Sequence, residues 1–360
     1  MKIKVLVVDD TIFYRKIISD ILQTFPEVDV VGTASNGKIA LSRIMTLKPD
    51  LLTLDIEMPV MDGLQLLREI QKQKLNVECV MLSSKTLKGS EATMQALELG
   101  AFDFIPKPDE TSAETNKAQI RTSLNNILSA FCRRLEMKEK LRSKLSLTRK
   151  GPVVRPVAAL KPSVKGFKRT EKSQAIAIGI STGGPNALAG MLPRLPADLG
   201  VPILLVQHMP PAFTTSLATS LDKKCALKVK EAENGETVKP NMVYIAPGGM
   251  QMKVASSADF KKIIRIIDDP PENNCKPSVD YMFRSVAREF GSKSTCVVMT
   301  GMGADGRLGL SVTKAAGAIS IAQDEETCVV YGMPKAVVDA GLADVVVPLD
   351  SIADEIMKTI

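Results

Sequence analysis

The 360-residue chain holds a single histidine, His208. It follows the apolar run VPILLVQ and precedes MPPAF, so it stands where a strand gives way to a Pro-rich turn. Imidazole titrates near neutral pH, so His208 is the side chain suited to take a proton from a weakly acidic nucleophile and return it to a leaving group. A hydroxyl in need of such a base occurs in Gly179-Ile180-Ser181-Thr182-Gly183, a G-x-S-x-G string directly after AIAI. Small residues there permit a tight strand-to-helix turn that exposes Ser181, with backbone N–H groups at the helix start facing any developing negative charge. The same string also fits a phosphate-cradling loop or a plain turn. A third Gly-rich strand end, Gly301-Met302-Gly303-Ala304-Asp305-Gly306, follows STCVVMT. Its Asp305 either caps a helix or orients His208 and stabilises the imidazolium.

Another set of strand-end residues occupies the first third of the chain. Asp9 and Asp10 follow KVLVV, Asp55 ends LLTLD, Ser83 ends ECVMLS, and Lys107 follows AFDFI. Three carboxylates beside one ammonium and one hydroxyl describe a Mg²⁺ site next to a phosphorylatable Asp. Hard oxygens hold the octahedral cation, and the cation and Lys107 neutralise an incoming phosphoryl group. Helix capping accounts for acids after strands, but not for the Lys107-Pro108 pair or the run DIEMPVMDG that begins at Asp55.

These residues need elements that bring strand ends together. Short apolar runs alternate with amphipathic stretches at Ile12 to Thr24, Gly37 to Leu47, Leu64 to Gln73 and Ser90 to Leu99, and then comes a last helix. Five such repeats predict an α/β fold: an N-terminal five-stranded (βα)5 doubly wound domain with its functional groups at the carboxyl ends of the strands. The second half predicts a doubly wound, mostly parallel α/β hydrolytic domain in which Ser181, His208 and Asp305 share one sheet edge. Their chain order differs from the Ser…Asp…His of α/β-hydrolases, so likeness to those enzymes stops at the motif.

Length and composition agree with two such domains, at 45% hydrophobic and 24% charged residues. Collagen-like and largely disordered readings are excluded. Six cysteines lie scattered without a C-x-x-C pair, which suits a reducing cytosol. The N-terminus lacks a signal-peptide core and no run approaches the length of a membrane span, so a cytoplasmic protein without membrane insertion is expected. The net charge of +7 is not spread evenly: Arg133 to Lys172 carries fourteen Lys/Arg against three Glu, leaving −4 for the remainder. The expected domains are therefore 1–127, a basic helical and Pro-rich linker 128–172, and 173–360. A nucleic-acid-binding output domain is not expected, because the second half is not itself basic and shows no compact helix-turn-helix pattern. The linker reads as a solvated spacer, with docking on an acidic or anionic surface as the alternative.

From Lys2 to Ile127, with Asp9-Asp10, DIEMPVMDG and Lys107-Pro108, the chain resembles the receiver domain of bacterial two-component response regulators. The resemblance implies that Asp55 accepts phosphate from a histidine kinase. It also implies that Asp10 binds Mg²⁺ with support from Asp9, and that Asp55 and the Glu57 backbone carbonyl complete the protein ligands. Ser83 and Phe104 would relay the phosphorylated state, the hydroxyl moving to the phosphoryl group and the ring turning inward behind it. With GISTGGP, QHMPPAFT and TGMGADG added, from Gln174 to the C-terminus, the chain is similar to the chemotaxis protein-glutamate methylesterases of the CheB type. That family implies Ser181 as nucleophile, His208 as general base and then acid, and Asp305 as its orienter. Backbone N–H groups near Thr182 and Met302 would be oxyanion donors, with no cofactor at this second site. The substrates implied are glutamyl γ-methyl esters on methyl-accepting chemotaxis receptors, with deamidation of selected glutamines and with control by phosphorylation. AQDEETCVVYGMP is also similar to the family and would border the cleft. The rival reading is a receiver joined to a noncatalytic partner-binding domain whose Gly-rich turns are structural.

Overall fold

Strands buried on both faces of a parallel sheet read as near-continuous apolar runs, and the first half of the chain supplies five. They are β1 (Ile3–Val8), β2 (Val28–Ala34), β3 (Leu51–Asp55), β4 (Glu78–Ser83) and β5 (Asp103–Pro106). The computed structural model describes residues 2–108, 113–147 and 171–360, with the side chains of 113 and 137–147 left aside. The strands alternate with α1 (Ile12–Leu22), α2 (Gly37–Leu47), α3 (Gly63–Lys72), α4 (Leu87–Glu98) and α5 (Ala113–Leu147). Thr11, Asn36, Asp62 and Thr86 cap the first four helices, and Asp62 forms a reciprocal capping box with Gln65. The Thr86 cap starts α4 three residues before its apolar pattern suggests, with Thr86 Oγ1 accepting from Gly89 N at 3.0 Å. All pairings are parallel in the order β2-β1-β3-β4-β5. The order reverses between β1 and β3, which opens a crevice at their carboxyl ends.

Two compact units divide the chain, Met1–Leu128 and Ser129–Ile360. Helix α5 runs through this division into the basic stretch as far as Leu147, so that stretch begins as helix; its Pro-rich continuation lies outside the described residues.

The second unit is built on β6 (Ala175–Ile180), β7 (Ile203–Gln207), β8 (Lys228–Glu231), β9 (Met242–Ile245), β12 (Ser294–Val298), β13 (Ile319–Gln323) and β14 (Val345–Val347). They pair in parallel in the order β14-β13-β12-β6-β7-β9-β8. A separate antiparallel hairpin, β10 (Gln251–Ser256) with β11 (Lys262–Ile267), stands outside this sheet. The helices are α6 (Gly184–Met191), α7 (Phe213–Asp222), α8 (Val279–Phe290), α9 (Arg307–Ala315), α10 (Met333–Asp339) and α11 (Leu349–Met357). Val279, Met282, Phe283 and Val286 of α8 are buried in a core shared with Val298 and Leu310. The switch point of this sheet falls between β6 and β12.

Candidate active site

The three strands β12, β6 and β7 are neighbours, and the sequence-derived trio follows their carboxyl ends. Ser181 comes directly after β6, His208 directly after β7, and Asp305 on the loop after β12. Backbone bonds fix this edge: Ser181 N donates to Thr300 O (2.9 Å) and His208 N to Ile180 O (3.1 Å). The buried Gln207 adds a clamp, its Nε2 donating to Ser181 O (3.0 Å) and His208 O (3.3 Å). Gly301 lets the two loops meet, because a Cβ there would stand 2.7 Å from Ser181 Cβ and 2.5 Å from Met333 Sδ. Gly183 begins α6 with φ +76°, and a Cβ on it would lie 2.5 Å from Val329 Cβ. Val329 belongs to the AQDEETCVVYGMP string, and Val330 O accepts from Gly301 N (3.0 Å), so that string borders the turn holding Ser181.

His208 Nε2 lies 2.8 Å from Asp305 Oδ2. Asp305 is 2% exposed and saturated with donors. Oδ2 also accepts from Val279 N (2.7 Å), while Oδ1 accepts from Ser278 Oγ (3.0 Å), Asp280 N (3.0 Å), Gly306 N (3.0 Å) and Asn273 Nδ2 (3.2 Å). Asp305 thus touches His208 and also accepts from a helix start, but that helix is α8 and not the α9 that follows it. Burial disfavours the charge, yet the His208 bond and the backbone N–H groups of α8 outweigh it and lower the Asp305 carboxyl to about 2. Burial likewise disfavours the imidazolium, but the Asp305 bond and the contact with Cys275 raise His208 to about 9. The other ring nitrogen, Nδ1, lies 3.7 Å from Cys275 Sγ. Among the described residues no hydrogen bond joins Ser181 Oγ to His208, so the structure brings His208 and Asp305 into contact and does not join Ser181 to them. With Nε2 committed to Asp305, the ring nitrogen without a carboxylate partner is Nδ1. No hydrogen bond among the described residues engages the backbone N–H of Thr182 or Met302, so both remain able to donate.

In the first unit, Asp55 and the fully buried Asp9 share Lys107, whose Nζ is 2.8 Å from Asp55 Oδ1 and 3.1 Å from Asp9 Oδ2. Thr11 N and Oγ1 donate to Asp9 Oδ1, and Arg15 Nη1 donates to the carbonyls of Asp9 and Asp10, which holds that loop. Burial raises Asp55 to about 6 despite the opposing pull of Lys107. Lys107 is itself raised: desolvation works against its charge, but Asp55 and Asp9 prevail. A cavity of about 210 Å³ opens here, lined by Asp10, Asp55, Glu57, Ser83 and Lys107 among others. Oxygens of Asp9, Asp10 and Asp55 lie within 4.8 Å of one another, and Lys107 is the partner of Asp9 Oδ2. A hard, oxygen-seeking cation such as Mg²⁺ fits that donor set. The Ser83 hydroxyl is engaged on α4, accepting from Thr93 Oγ1 (2.6 Å) and donating to Gly89 O (3.1 Å). Phe104 is partly buried, opposite Met81 in the β4–β5 pairing.

Sequence reasoning missed Gln207, Asn273, Cys275, Ser278 and Asp280. Ser278-Val279-Asp280 carries the one local sign, a helix-start pattern, and nothing in it points to Asp305.

A response regulator with a hydrolase output domain is the class that this fold defines together with the comparisons that follow. The model of the CheB methylesterase family matches residues 176–356, and that of the response regulator receiver domain matches residues 5–118. The protein-glutamate methylesterase/protein-glutamine glutaminase of Desulfotalea psychrophila is 54% identical over 359 residues, covering 99% of this chain and 98% of the relative. The Bacillus subtilis protein of the same name is 44% identical over 360 residues, again covering 99% and 98%. The crystal structure of the Thermotoga maritima CheB methylesterase catalytic domain is 43% identical with a TM-score of 0.51, covering 53% of this chain and all of that one. The chain belongs to the CheB methylesterase family. Among the described residues no helix is long and apolar enough to cross a membrane.

Proposed function

We propose that the chain hydrolyses glutamyl γ-methyl esters on methyl-accepting chemotaxis receptors, deamidates selected receptor glutamines, and is controlled by phosphorylation of Asp55 from a histidine kinase. Ser181 Oγ attacks the ester carbonyl while His208 takes its proton. The N–H groups of Thr182 and Met302 receive the oxyanion, and His208 returns the proton to the departing methoxide, which leaves as methanol. Water activated by His208 then opens the glutamyl-serine ester, freeing glutamate and Ser181. A glutamine side chain enters the same sequence with ammonia as the leaving group. Asp305 holds the imidazole and stabilises its charged form without itself gaining the proton. The observation that carries this reading is the 2.8 Å contact of the lone imidazole with a donor-saturated carboxylate, on strands flanking the one that ends at Ser181.

In the receiver, Asp10 and Asp55 would hold Mg²⁺ with Asp9 behind them and the Glu57 carbonyl as a further oxygen. When bound, the cation neutralises the incoming phosphoryl group. The Asp55 carboxylate is the nucleophile, Lys107 supplies fixed positive charge, and Ser83 with Phe104 passes the change on. Division of labour follows the boundaries 1–127, 128–172 and 173–360. Methanol release from methylated receptor membranes, with and without a small phosphodonor, tests chemistry and control together. We expect stimulation by the phosphodonor, its loss in Asp55→Asn, and a fall of several powers of ten in Ser181→Ala. Wild-type turnover by Ser181→Ala overturns the assignment.

A further inference from the structure

The imidazole edge facing away from Asp305 is not open: Cys275 Sγ sits 3.7 Å from His208 Nδ1. We propose that this pair forms an inhibitory site for a thiophilic divalent cation of the Zn²⁺ type, bound across the nitrogen that Ser181 needs. A tetrahedral Zn²⁺ bonded to one imidazole nitrogen and one thiolate holds those two atoms about 3.6 Å apart, given bonds of roughly 2.0 and 2.3 Å. The resting separation is nearly that distance, so little rearrangement is required. Asp305, on Nε2, occupies the place of the carboxylate commonly found behind a metal-bound imidazole, where it fixes the tautomer that leaves Nδ1 free to bind. His208 Nδ1 and Cys275 Sγ are the two protein ligands, and water fills the remaining positions.

Donor chemistry separates this site from the receiver. Nitrogen and sulfur select a soft cation, whereas the all-oxygen cluster of Asp9, Asp10 and Asp55 suits Mg²⁺. Access is available, since His208 is 14% exposed and Cys275 is half-buried, while Cys79, Cys296 and Cys328 are buried. Binding replaces the thiol proton, and the second imidazole proton where His208 is charged, releasing one or two H⁺ to solvent. Affinity therefore tightens by about tenfold or more for each pH unit raised.

Binding can be measured apart from activity, so only the inhibitory consequence rests on the esterase reading. The full-length protein, in excess Mg²⁺, is titrated with Co²⁺ for a thiolate-to-metal charge-transfer band and with Zn²⁺ for heat and for methanol release. We expect the band in wild type, inhibition relieved by a chelator, and loss of the band in both Cys275→Ser and Cys275→Ala. The Zn²⁺ concentration for half-inhibition, taken against each variant's own metal-free rate, should rise by about tenfold or more. A missing band in wild type, or half-inhibition within about twofold in both variants, overturns the proposal. A Cys275-dependent band in a protein that releases no methanol upholds the cation site and sinks the esterase reading instead.

Discussion

Replacing Asp305 by Asn tests the reasoning about the catalytic pair, because the donor geometry dictates how the amide must sit. Four donors converge on Oδ1, so an NH₂ group has no acceptor there. The amide nitrogen is forced to the Oδ2 position, facing Val279 N–H at 2.7 Å and His208 Nε2 at 2.8 Å. Nε2 must then accept a hydrogen bond and the ring proton moves to Nδ1, the edge that has to be basic towards Ser181. A triad held in the wrong tautomer loses roughly four powers of ten in turnover. The clash with Val279 N–H costs about 1–3 kcal/mol of stability besides.

A single histidine makes the measurement unambiguous, since histidine-selective isotope labelling gives one imidazole to titrate. Wild type should show an Nε2–H tautomer and a midpoint near 9. Asp305→Asn should show Nδ1–H and a midpoint moved down towards the ordinary 6.5. At pH 7 about one wild-type imidazole in a hundred is then neutral, against most of those in the variant. Were neutral fraction alone decisive, the variant would release methanol faster, by up to about a hundredfold; the tautomer argument demands that it be far slower. For stability, His208 is raised, so its share of the pair is full below about 6.5 and fades as pH climbs through about 9. Asp305 is lowered, so its share is present above 3.8 and vanishes as pH falls through about 2. The difference in thermal stability between wild type and variant should be widest between those limits. A wild-type midpoint at 6.5, or a variant that gains activity at pH 7, refutes the reasoning.

Two further outcomes concern the other contacts. Gly301→Ala puts a methyl 2.7 Å from Ser181 Cβ, so methanol release should fall by at least about tenfold while phosphate uptake at Asp55 stays at the wild-type level; an unaltered rate would remove the close approach from the argument. Because burial raises Asp55 to about 6, Mg²⁺ must displace a proton below that pH, and its affinity, followed calorimetrically, should weaken about tenfold per pH unit there. In Lys107→Met, which loses the charge opposing the shift, the onset should move to higher pH, and an affinity flat from pH 7 to 5 would contradict this.

Much of the architecture was legible because parallel strands must be apolar throughout. The runs at β1, β3, β6 and β7 stand out, and Gly, Pro or acidic residues mark their ends. The candidate trio was legible for the same reason, since Ser181, His208 and Asp305 each stand at such an end. What the sequence could not carry is adjacency. That β12 pairs with β6 on the side opposite β7, bringing Asp305 to His208, follows from the strand order and not from chain order. Nor can one sequence show which imidazole nitrogen meets the acid, or that α8, which precedes Asp305, supplies two of its donors. Asn273, Cys275 and Ser278 reach the site through tertiary approach of a loop with no motif of its own. The extent of α5 was legible in part: helix-like spacing continues into the basic segment, and the helix crosses the division between units.

The two switch-point carboxylates show how one topology sets opposite acidities. Asp55 and Asp305 are both buried at the carboxyl edge of a parallel sheet, yet one is raised to about 6 and the other lowered to about 2. Burial pushes both upward, so the difference lies in their partners. Asp305 accepts six hydrogen bonds, three from fixed backbone N–H groups, and every lone pair that could attack an electrophile is committed. Asp55 faces a cavity with Lys107 on one oxygen and keeps lone pairs for a phosphorus centre or a cation. A nucleophilic carboxylate has to be left under-satisfied, at a cost in stability, whereas an orienting carboxylate has to be saturated so that it holds charge without reacting. The start of α8 makes the difference, because the N–H groups of Val279 and Asp280 help to lower a carboxyl that burial alone would raise, as it raises Asp55.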